Sequence, residues 1–530
     1  MASGYFCLVL HAHLPYVRHP EYPSFFEESW LFEAITDTYV PLLRLLEGLR
    51  DDEVPARLTV SLSPPLIEMF NDRLLRERYL VHLKKLSQLG DKEIIRKHGN
   101  PQLTEVARMY RRLLYETEAW YVDRYGCDLV AAFRRLQEAG VIEVATAGAT
   151  HGFLPILKTQ PATVSAQLEV AAQTYRRAFG RSVPGFWLPE CGYYPGVEEA
   201  VATAGGRYFF VETHAILNAS ARSPYGYLAP IACPNGVAAF GRDPASSRQV
   251  WSQHDGYPGD PWYRDFYRDI GFDADFDYIR PYILDGQTRI FTGFKYHRIT
   301  GMTEDKAIYE PERARERADV HAADFLRRQV ETVDRYASAM DRPPLIVALY
   351  DAELFGHWWF EGPQFLNYFI RKLAYDQDVV EMITPSDYLL RHRRLPQAVP
   401  SASSWGDQGY SSFWINPGND WIYRHLHEAG RRMTMLARRH RDAPLRSLIE
   451  RALNQAARSL LLAQASDWPF IMKNGTAVDY AYGRVRDHLA RFHVLCDDVE
   501  AAAIDRRRLL ALETMDAIFA EIDFRVFARG

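Results

Sequence analysis

Two carboxylates, Glu190 and Asp351, each follow directly on an apolar run and are set among aromatic rings. Glu190 lies in Phe186-Trp-Leu-Pro-Glu-Cys-Gly-Tyr-Tyr-Pro-Gly196, and Asp351 opens Asp351-Ala-Glu-Leu-Phe-Gly-His-Trp-Trp-Phe-Glu-Gly362. Acids are seldom buried without a partner, and carbohydrate sites combine acidic side chains with flat aromatic faces. A pair of carboxyl groups flanking a sugar bond is the equipment of glycosidic chemistry: one attacks or activates water, the other protonates the leaving oxygen. Their separation sets the outcome, with about 5 Å meaning retention through a covalent intermediate and a wider gap inversion. Asp351 serves as the acid if its pKa is raised, and Leu354, Phe355, Trp358 and Trp359 supply the apolar surroundings for that. Plain alternatives stand beside this: Glu190 and Asp351 as turn or helix caps, and Glu353 as a competitor for the acid's role.

Histidines recur at similar places. His11 and His13 follow the run Gly4–Leu10, and their i, i+2 spacing puts both on one side of an extended backbone. His151 sits in the Gly-bounded turn after Val141–Thr146. The histidine pair suits a metal or the hydroxyls of a sugar, but no acidic third ligand stands at metal-binding spacing. Cys191, beside Glu190, has no thiolate-stabilising neighbour and reads as a small packing residue.

The elements that must carry these residues alternate. Apolar, strand-like runs span Gly4–Leu10, Arg57–Leu62, Val141–Thr146, Val183–Leu188, Arg207–Glu212, Leu345–Tyr350 and Val379–Ile383, with helical patterns between them. His11, His151, Glu190 and Asp351 all fall just past the C-terminal end of such a run, and in a parallel barrel those ends share the face that holds the site. The fold expected is an α/β, distorted TIM-like barrel over residues 1–400, with a helical insertion at about 66–140 and a loop-rich part at about 215–272. Beyond it, residues 401–530 form an all-helical C-terminal domain, with helices expected at 419–439, 443–465, 478–499 and 506–522. Trp30 lies on an amphipathic helix near the N-terminus, as a platform for a sugar or as core.

Composition narrows the function classes. The 63 basic and 68 acidic residues give a net charge of -5, which argues against nonspecific nucleic-acid binding and favours a neutral substrate. The 5 cysteines are scattered and have no CxxC spacing, as expected of reduced thiols in a cytoplasmic protein. There is no apolar run of about 18 residues, so no membrane partner is expected, and no secretory leader pattern precedes the first strand.

His11-Ala-His-Leu-Pro-Tyr16, Gly148-Ala-Thr-His151, Trp187-Leu-Pro-Glu-Cys-Gly-Tyr193, Tyr350-Asp-Ala-Glu-Leu-Phe-Gly-His-Trp-Trp359 and Ala465-Ser-Asp-Trp-Pro-Phe470 resemble, in order, the five motifs of glycoside hydrolase family 57, and most narrowly its 1,4-α-glucan branching enzyme subfamily. The resemblance implies a (β/α)7 barrel, an α-glucan polysaccharide or oligosaccharide as substrate, and a retaining mechanism with no metal ion and no cofactor. It implies Glu190 as nucleophile and Asp351 as general acid/base, with His11, His13 and His151 on the donor side. It also implies sugar contacts at Arg264, Gly301, Trp405 and Asp467, with Trp414 and Trp468 shaping the groove.

Some branching members carry a longer loop past the nucleophile segment with a tyrosine at its tip. The corresponding stretch here, Leu228–Phe240, is short and has none, and Tyr257 in Gly256-Tyr-Pro-Gly-Asp260 is the candidate substitute lid. The leading expectation is a branching enzyme that cuts α-1,4 and forms α-1,6 linkages. An α-amylase-like hydrolase on the same scaffold, a glucan-binding protein without turnover and a zinc-dependent deacetylase or mannosidase are the alternatives.

Overall fold

The computed structural model describes residues 2–251, 256–284, 286–301 and 303–529. Its strands are β1 (Gly4–Ala12), β2 (Leu58–Leu62), β3 (Ile142–Thr146), β4 (Tyr208–Val211), β5 (Ile231–Ala232), β6 (Ala238–Gly241), β7 (Leu345–Asp351) and β8 (Val380–Met382). β1 is buried along its whole length, as a strand covered on both faces must be. It pairs in parallel with β2, β7 and β8, and β2 pairs in parallel with β3. A strand has two edges. β7 takes one from Tyr5 to His11, so β8, at Gly4–Phe6, and β2, at Val9–Ala12, divide the other.

The ring closes through two weaker seams. Phe186 bridges in parallel to Thr146 on one side and Phe209 on the other, and β4 pairs in parallel with β6. The Asp243 N–H then donates to the Val347 carbonyl at 2.8 Å, joining the end of β6 to β7. The circuit β1, β2, β3, Phe186, β4, β6, β7 is a distorted (β/α)7 barrel. The 183–188 run is a single bridging residue rather than the strand expected, because Pro184 and Pro189 carry no N–H to donate to a ladder.

Period-two alternation sorts the barrel's core into an inside and an outside. Tyr5, Cys7 and Val9 of β1, Tyr208 and Phe210 of β4, Ala238 and Phe240 of β6, and Leu345, Val347 and Leu349 of β7 pack together as one buried cluster with Trp187 and Cys191. Phe6, Leu8 and Leu10 face the other way, into the cluster shared with the surrounding helices. Each inward column continues upward to a polar residue: His11, Glu212, Arg242 and Asp351. That step from apolar to polar marks where the barrel's core ends and its mouth begins.

Between β2 and β3 the chain runs through helices Pro64–Asn71, Arg73–Lys97, Pro101–Glu118 and Leu129–Glu138. The last three start where Asp72, Asn100 and Asp128 accept a hydrogen bond from the N–H three residues on. The irregular stretch after β4 extends past 272, to the helix Pro311–Ala337. The C-terminal region is helical throughout, with Trp421–Arg439, Leu448–Ala463, Asp467–Asn474, Val478–Glu500 and Arg506–Met515. The short helix Asp467–Asn474 breaks the expected pattern, and the last long helix stops at Met515 rather than running to 522.

Candidate active site

The loop after Phe186 turns sharply to present Glu190. Leu188 and Pro189 carbonyls accept from Cys191 and Gly192, and Glu190 and Cys191 adopt left-handed backbone, with φ of 62° and 48°. His151 does the same at φ 57°. Such conformations cost roughly 1–3 kcal/mol each for residues with a Cβ and persist where surrounding structure enforces them. The enforcing structure is distant in sequence. Trp405 donates its backbone N–H to the Glu190 carbonyl at 2.9 Å, and Tyr193 and Ser403 exchange backbone bonds beside it. Likewise the Ser466 N–H donates to the His151 carbonyl at 3.0 Å.

Both oxygens of the Glu190 carboxylate are held. Trp405 Nε1 donates to Oε2 and Ser466 Oγ to Oε1, each at 2.7 Å. Burial pushes the Glu190 pKa up to about 6, and these two donors hold it back from rising further.

The histidines form a directional chain. Since Ser466 gives its proton to Glu190, its oxygen accepts from His151 Nδ1, 2.8 Å away. His151 Nε2 is then the acceptor for His11 Nε2 at 3.0 Å, and His11 Nδ1 accepts from Ser61 Oγ at 3.2 Å. The chain Ser61, His11, His151, Ser466, Glu190 passes one donor to the next and ends on the carboxylate. The chain needs both imidazoles neutral, and burial, reinforced by His13, pushes their pKa values well down in that direction. His13 differs: burial opposes its charge, but Asp467, with both oxygens 3.2 Å from Nε2, raises its pKa. The indole of Trp187 stacks on His11, with centroids 4.5 Å apart, and fixes that ring.

Asp351 ends β7 in register with His11 of β1. Among the described residues no hydrogen-bond donor holds its carboxyl. Burial raises its pKa well above the usual carboxylate range, Glu353 and Glu190 raise it further, and Arg242 opposes them. Glu353, the competitor, is already engaged: Oε1 accepts from the Tyr39 hydroxyl and from the His13 N–H, the latter at 3.2 Å. Burial pushes its pKa up to about 7. Tyr39 is presented by a π-helical turn, Ile35–Tyr39, in an otherwise α-helical stretch from Glu28 to Asp51.

His11, His13, His151, Glu190, Asp351, Trp405 and Asp467 therefore converge on the barrel mouth. Other expected contacts lie in different surroundings. The Arg264 guanidinium is buried over the Phe360 ring, 4.0 Å from its centroid, and reaches Tyr110 Oη at 3.5 Å. Gly301 is an exposed turn with φ 76°. Trp30 packs edge-on against Tyr480, with centroids 5.8 Å apart. Trp414 and Trp468 are 1% and 0% exposed, so neither offers a ring face to a ligand. Trp414 stacks on Phe153, and Trp468 Nε1 donates to the Leu462 carbonyl. Cys191 is buried with its thiol pKa pushed well up by burial, as befits a packing residue. Among the described residues no group of three or more His, Cys, Asp or Glu is arranged to hold a metal ion, and no helix is long and apolar enough to cross a membrane.

Two loop expectations need correction. The turn between β5 and β6, in the 228–240 stretch, enters β6 from its N-terminal end, and β6 runs parallel to its barrel neighbour. The turn therefore lies at the pole opposite the site, and its length has no bearing on the mouth. Tyr257 is tied down elsewhere, its hydroxyl donating to Asp324 at 2.8 Å and its ring tilted over His321, with centroids 4.7 Å apart.

The sequence reading missed Ser466, Ser61, Ser63, Glu212 and Arg242. The serines were findable: Thr59, Ser61 and Ser63 are alternate polar residues in an otherwise apolar strand, and Ser63 Oγ lies 2.9 Å from His13 Nδ1.

Residues 7–399 match the model of glycosyl hydrolase family 57. The chain belongs to glycosyl hydrolase family 57. Residues 425–527 further match the model described as 1,4-alpha-glucan branching enzyme, C-terminal. Among solved structures, this family 57 enzyme is similar to an alpha-amylase from Thermotoga maritima, with 44% identity over 100% of both chains and a TM-score of 0.93. It is also similar to a branching enzyme from Pyrococcus horikoshii, with 32% identity over 99% of this chain and 97% of that one and a TM-score of 0.88. A 1,4-alpha-glucan branching enzyme of Thermococcus kodakarensis is 33% identical over 98% of this chain and 78% of its own length.

Proposed function

We propose that this family 57 enzyme is a retaining α-1,4-glucan hydrolase of the α-amylase type, with Glu190 as nucleophile and Asp351 as general acid/base. The likeness to the Thermotoga maritima alpha-amylase over the full length of both chains is the observation that carries hydrolysis. It supports the reading named second from the sequence above the one named first.

In the first step Asp351 gives its proton to the glycosidic oxygen as the C1–O bond breaks, and a Glu190 oxygen bonds to C1. The leaving segment departs with a hydroxyl. In the second step Asp351, now a carboxylate, takes a proton from water, whose oxygen bonds to C1 and frees Glu190. Division of labour follows from environment: Glu190 has two donors that favour its anion, while Asp351 has no donor among the described residues and stands near two acids.

The second reading is branching, in which a sugar 6-hydroxyl replaces water in the second step. The match of residues 425–527 to a branching-enzyme C-terminal model favours it. Incubation with amylose separates the two. New reducing ends without α-1,6 signals in proton NMR are expected. Growth of α-1,6 linkages with nearly constant reducing ends would overturn hydrolysis in favour of branching.

A further inference from the structure

A separate cleft lies between the helical insertion and the irregular stretch that follows β4. It measures about 210 Å³ and is lined by Arg96, Lys97, Arg268, Asp273, Tyr296 and His297 among others, and it shares no lining residue with the barrel mouth. That volume is below the range of clefts for drug-sized ligands, so the space suits a small anion or the charged end of a small ester, not a glucan chain.

The walls are held in place by the protein's own bonds. On one side Arg96 and Lys97 close the helix Arg73–Lys97, where cations suit the negative end of the helix dipole. On the other, the buried Asp269 carboxylate accepts from the N–H groups of Gly271, Thr292 and Gly293 at 2.7, 3.0 and 2.9 Å, and from the Thr292 hydroxyl at 2.7 Å. The helix end accounts for two of the basic residues. Arg268 and His297 reach the same space from a different part of the chain.

These donors are unequally satisfied. Arg96 gives Nε and Nη2 to Glu93, and Arg268 gives Nε to Asp273 and Nη1 to Glu304. Arg96 Nη1 and Arg268 Nη2 are left without a hydrogen bond among the described residues. Asp273 is the one acid in the wall, and Arg268 already holds it. Lys97, partly buried, pairs with no carboxylate among the described residues. Its ammonium stands 4.7 Å from the Tyr296 ring centroid, and the Tyr296 hydroxyl donates to Glu93 at 2.8 Å. Burial and the Arg96 charge hold the Lys97 pKa below its ordinary value against Glu93 and Asp273, and burial with Arg268 and Lys97 lowers that of His297. A desolvated cation without a counter-ion is costly, and an anion among these donors relieves it.

We propose that this cleft binds a phosphate group, carried by inorganic phosphate or by a monosaccharide phosphate, and that the bound anion ties the helical insertion to the irregular stretch. Lys97 Nζ, Arg96 Nη1, Arg268 Nη2 and a ring N–H of His297 are its donors. Guanidinium and ammonium groups are the usual partners of phosphate oxygens.

Calorimetric titration and thermal unfolding of the full chain test this at about pH 7.5, where a phosphate ester is mostly dianionic. Inorganic phosphate is expected to give saturable heat and to raise the melting temperature, and sodium chloride at matched ionic strength to do neither. In Lys97→Gln the Kd for phosphate is expected to rise about tenfold or more, the scale of one lost charge-assisted hydrogen bond, and Lys97→Arg is expected to restore most of it. Without phosphate, Lys97→Gln is expected to melt and to act on amylose as the wild type does, which separates lost binding from lost folding. Glucose 1-phosphate is the second probe: tighter binding than inorganic phosphate assigns a sugar ester, and equal or weaker binding the free ion. No saturable heat from either probe in the wild type, or equal affinity in wild type and Lys97→Gln, would overturn the proposal. Neither result bears on whether the barrel mouth hydrolyses or branches.

Discussion

Glu190 and Trp405, 215 residues apart, are joined twice: the indole N–H donates to the carboxylate and the backbone N–H to the carbonyl of the same residue. The indole bond favours the ionised nucleophile. Its removal in Trp405→Phe, like removal of the other donor in Ser466→Ala, raises the Glu190 pKa from about 6. As the proposed nucleophile Glu190 must be ionised to attack, so activity is expected to fall as pH drops through its pKa. The acidic limb of the kcat/KM profile on amylose therefore moves to higher pH in both variants, while the alkaline limb stays in place.

As the proposed general acid Asp351 must carry a proton to act on a sugar leaving group. Its raised pKa means activity is present below that value and lost as pH rises through it. Replacement in Asp351→Asn is expected to lower kcat on amylose by roughly 10²- to 10⁴-fold, the usual worth of general acid–base catalysis. Fluoride release in a single-turnover burst from α-maltosyl fluoride, which needs no acid, is expected to fall far less. Equal losses on both substrates would remove Asp351 from the acid role.

His13 and Asp467 pair across the junction between the barrel mouth and the C-terminal helices. Because the partner raises the His13 pKa, the stabilisation is full below the unfolded value near 6.5 and is lost as pH rises through the folded one. A double-mutant cycle with His13→Gln and Asp467→Asn, read by denaturant unfolding, is expected to give a coupling of about 0.5–3 kcal/mol at pH 6 that shrinks under alkaline conditions. A coupling independent of pH would mean a neutral hydrogen bond instead.

Gly356 makes possible the close approach of the segment after Asp351 to the π-helical turn. A Cβ there would stand 1.8 Å from the Asp37 carbonyl oxygen, and its φ of 117° suits no residue with a side chain. Gly356→Ala is therefore expected to push Ile35–Tyr39 away, releasing the Tyr39 bond to Glu353 and lowering the melting temperature with activity. Gly475→Ala serves as the control: it too has positive φ, but no atom lies within 4 Å of the added Cβ, so it carries backbone strain alone.

The barrel and the residues at its strand ends were legible because both rest on local patterns. The inward columns of β1 and β7 are short apolar runs that stop at His11 and Asp351, and a run that stops at a polar residue is visible in one sequence. Ser466 and Arg242 carry no such pattern: a serine before a short helix and an arginine after a four-residue strand look like many others. The pole of the 228–240 turn was not legible, because β6 is too short to detect and a turn's pole is set by the direction of the strand it feeds. Trp414 and Trp468 look like sugar platforms in sequence, since a ring's type does not reveal which side of the core it faces.

Glu190 is held by Trp405 and Ser466, and His13 by Asp467, so the barrel does not complete its own mouth. The stretch beyond residue 400 is therefore built into the barrel mouth. A nick there, or loosening of the C-terminal helices on heating, is expected to remove these hydrogen bonds while the parallel strands remain paired. Inactivation is thus expected to precede global unfolding, and a graft of this C-terminal stretch onto another barrel would lack the loops at His151 and Glu190 to which it is zipped.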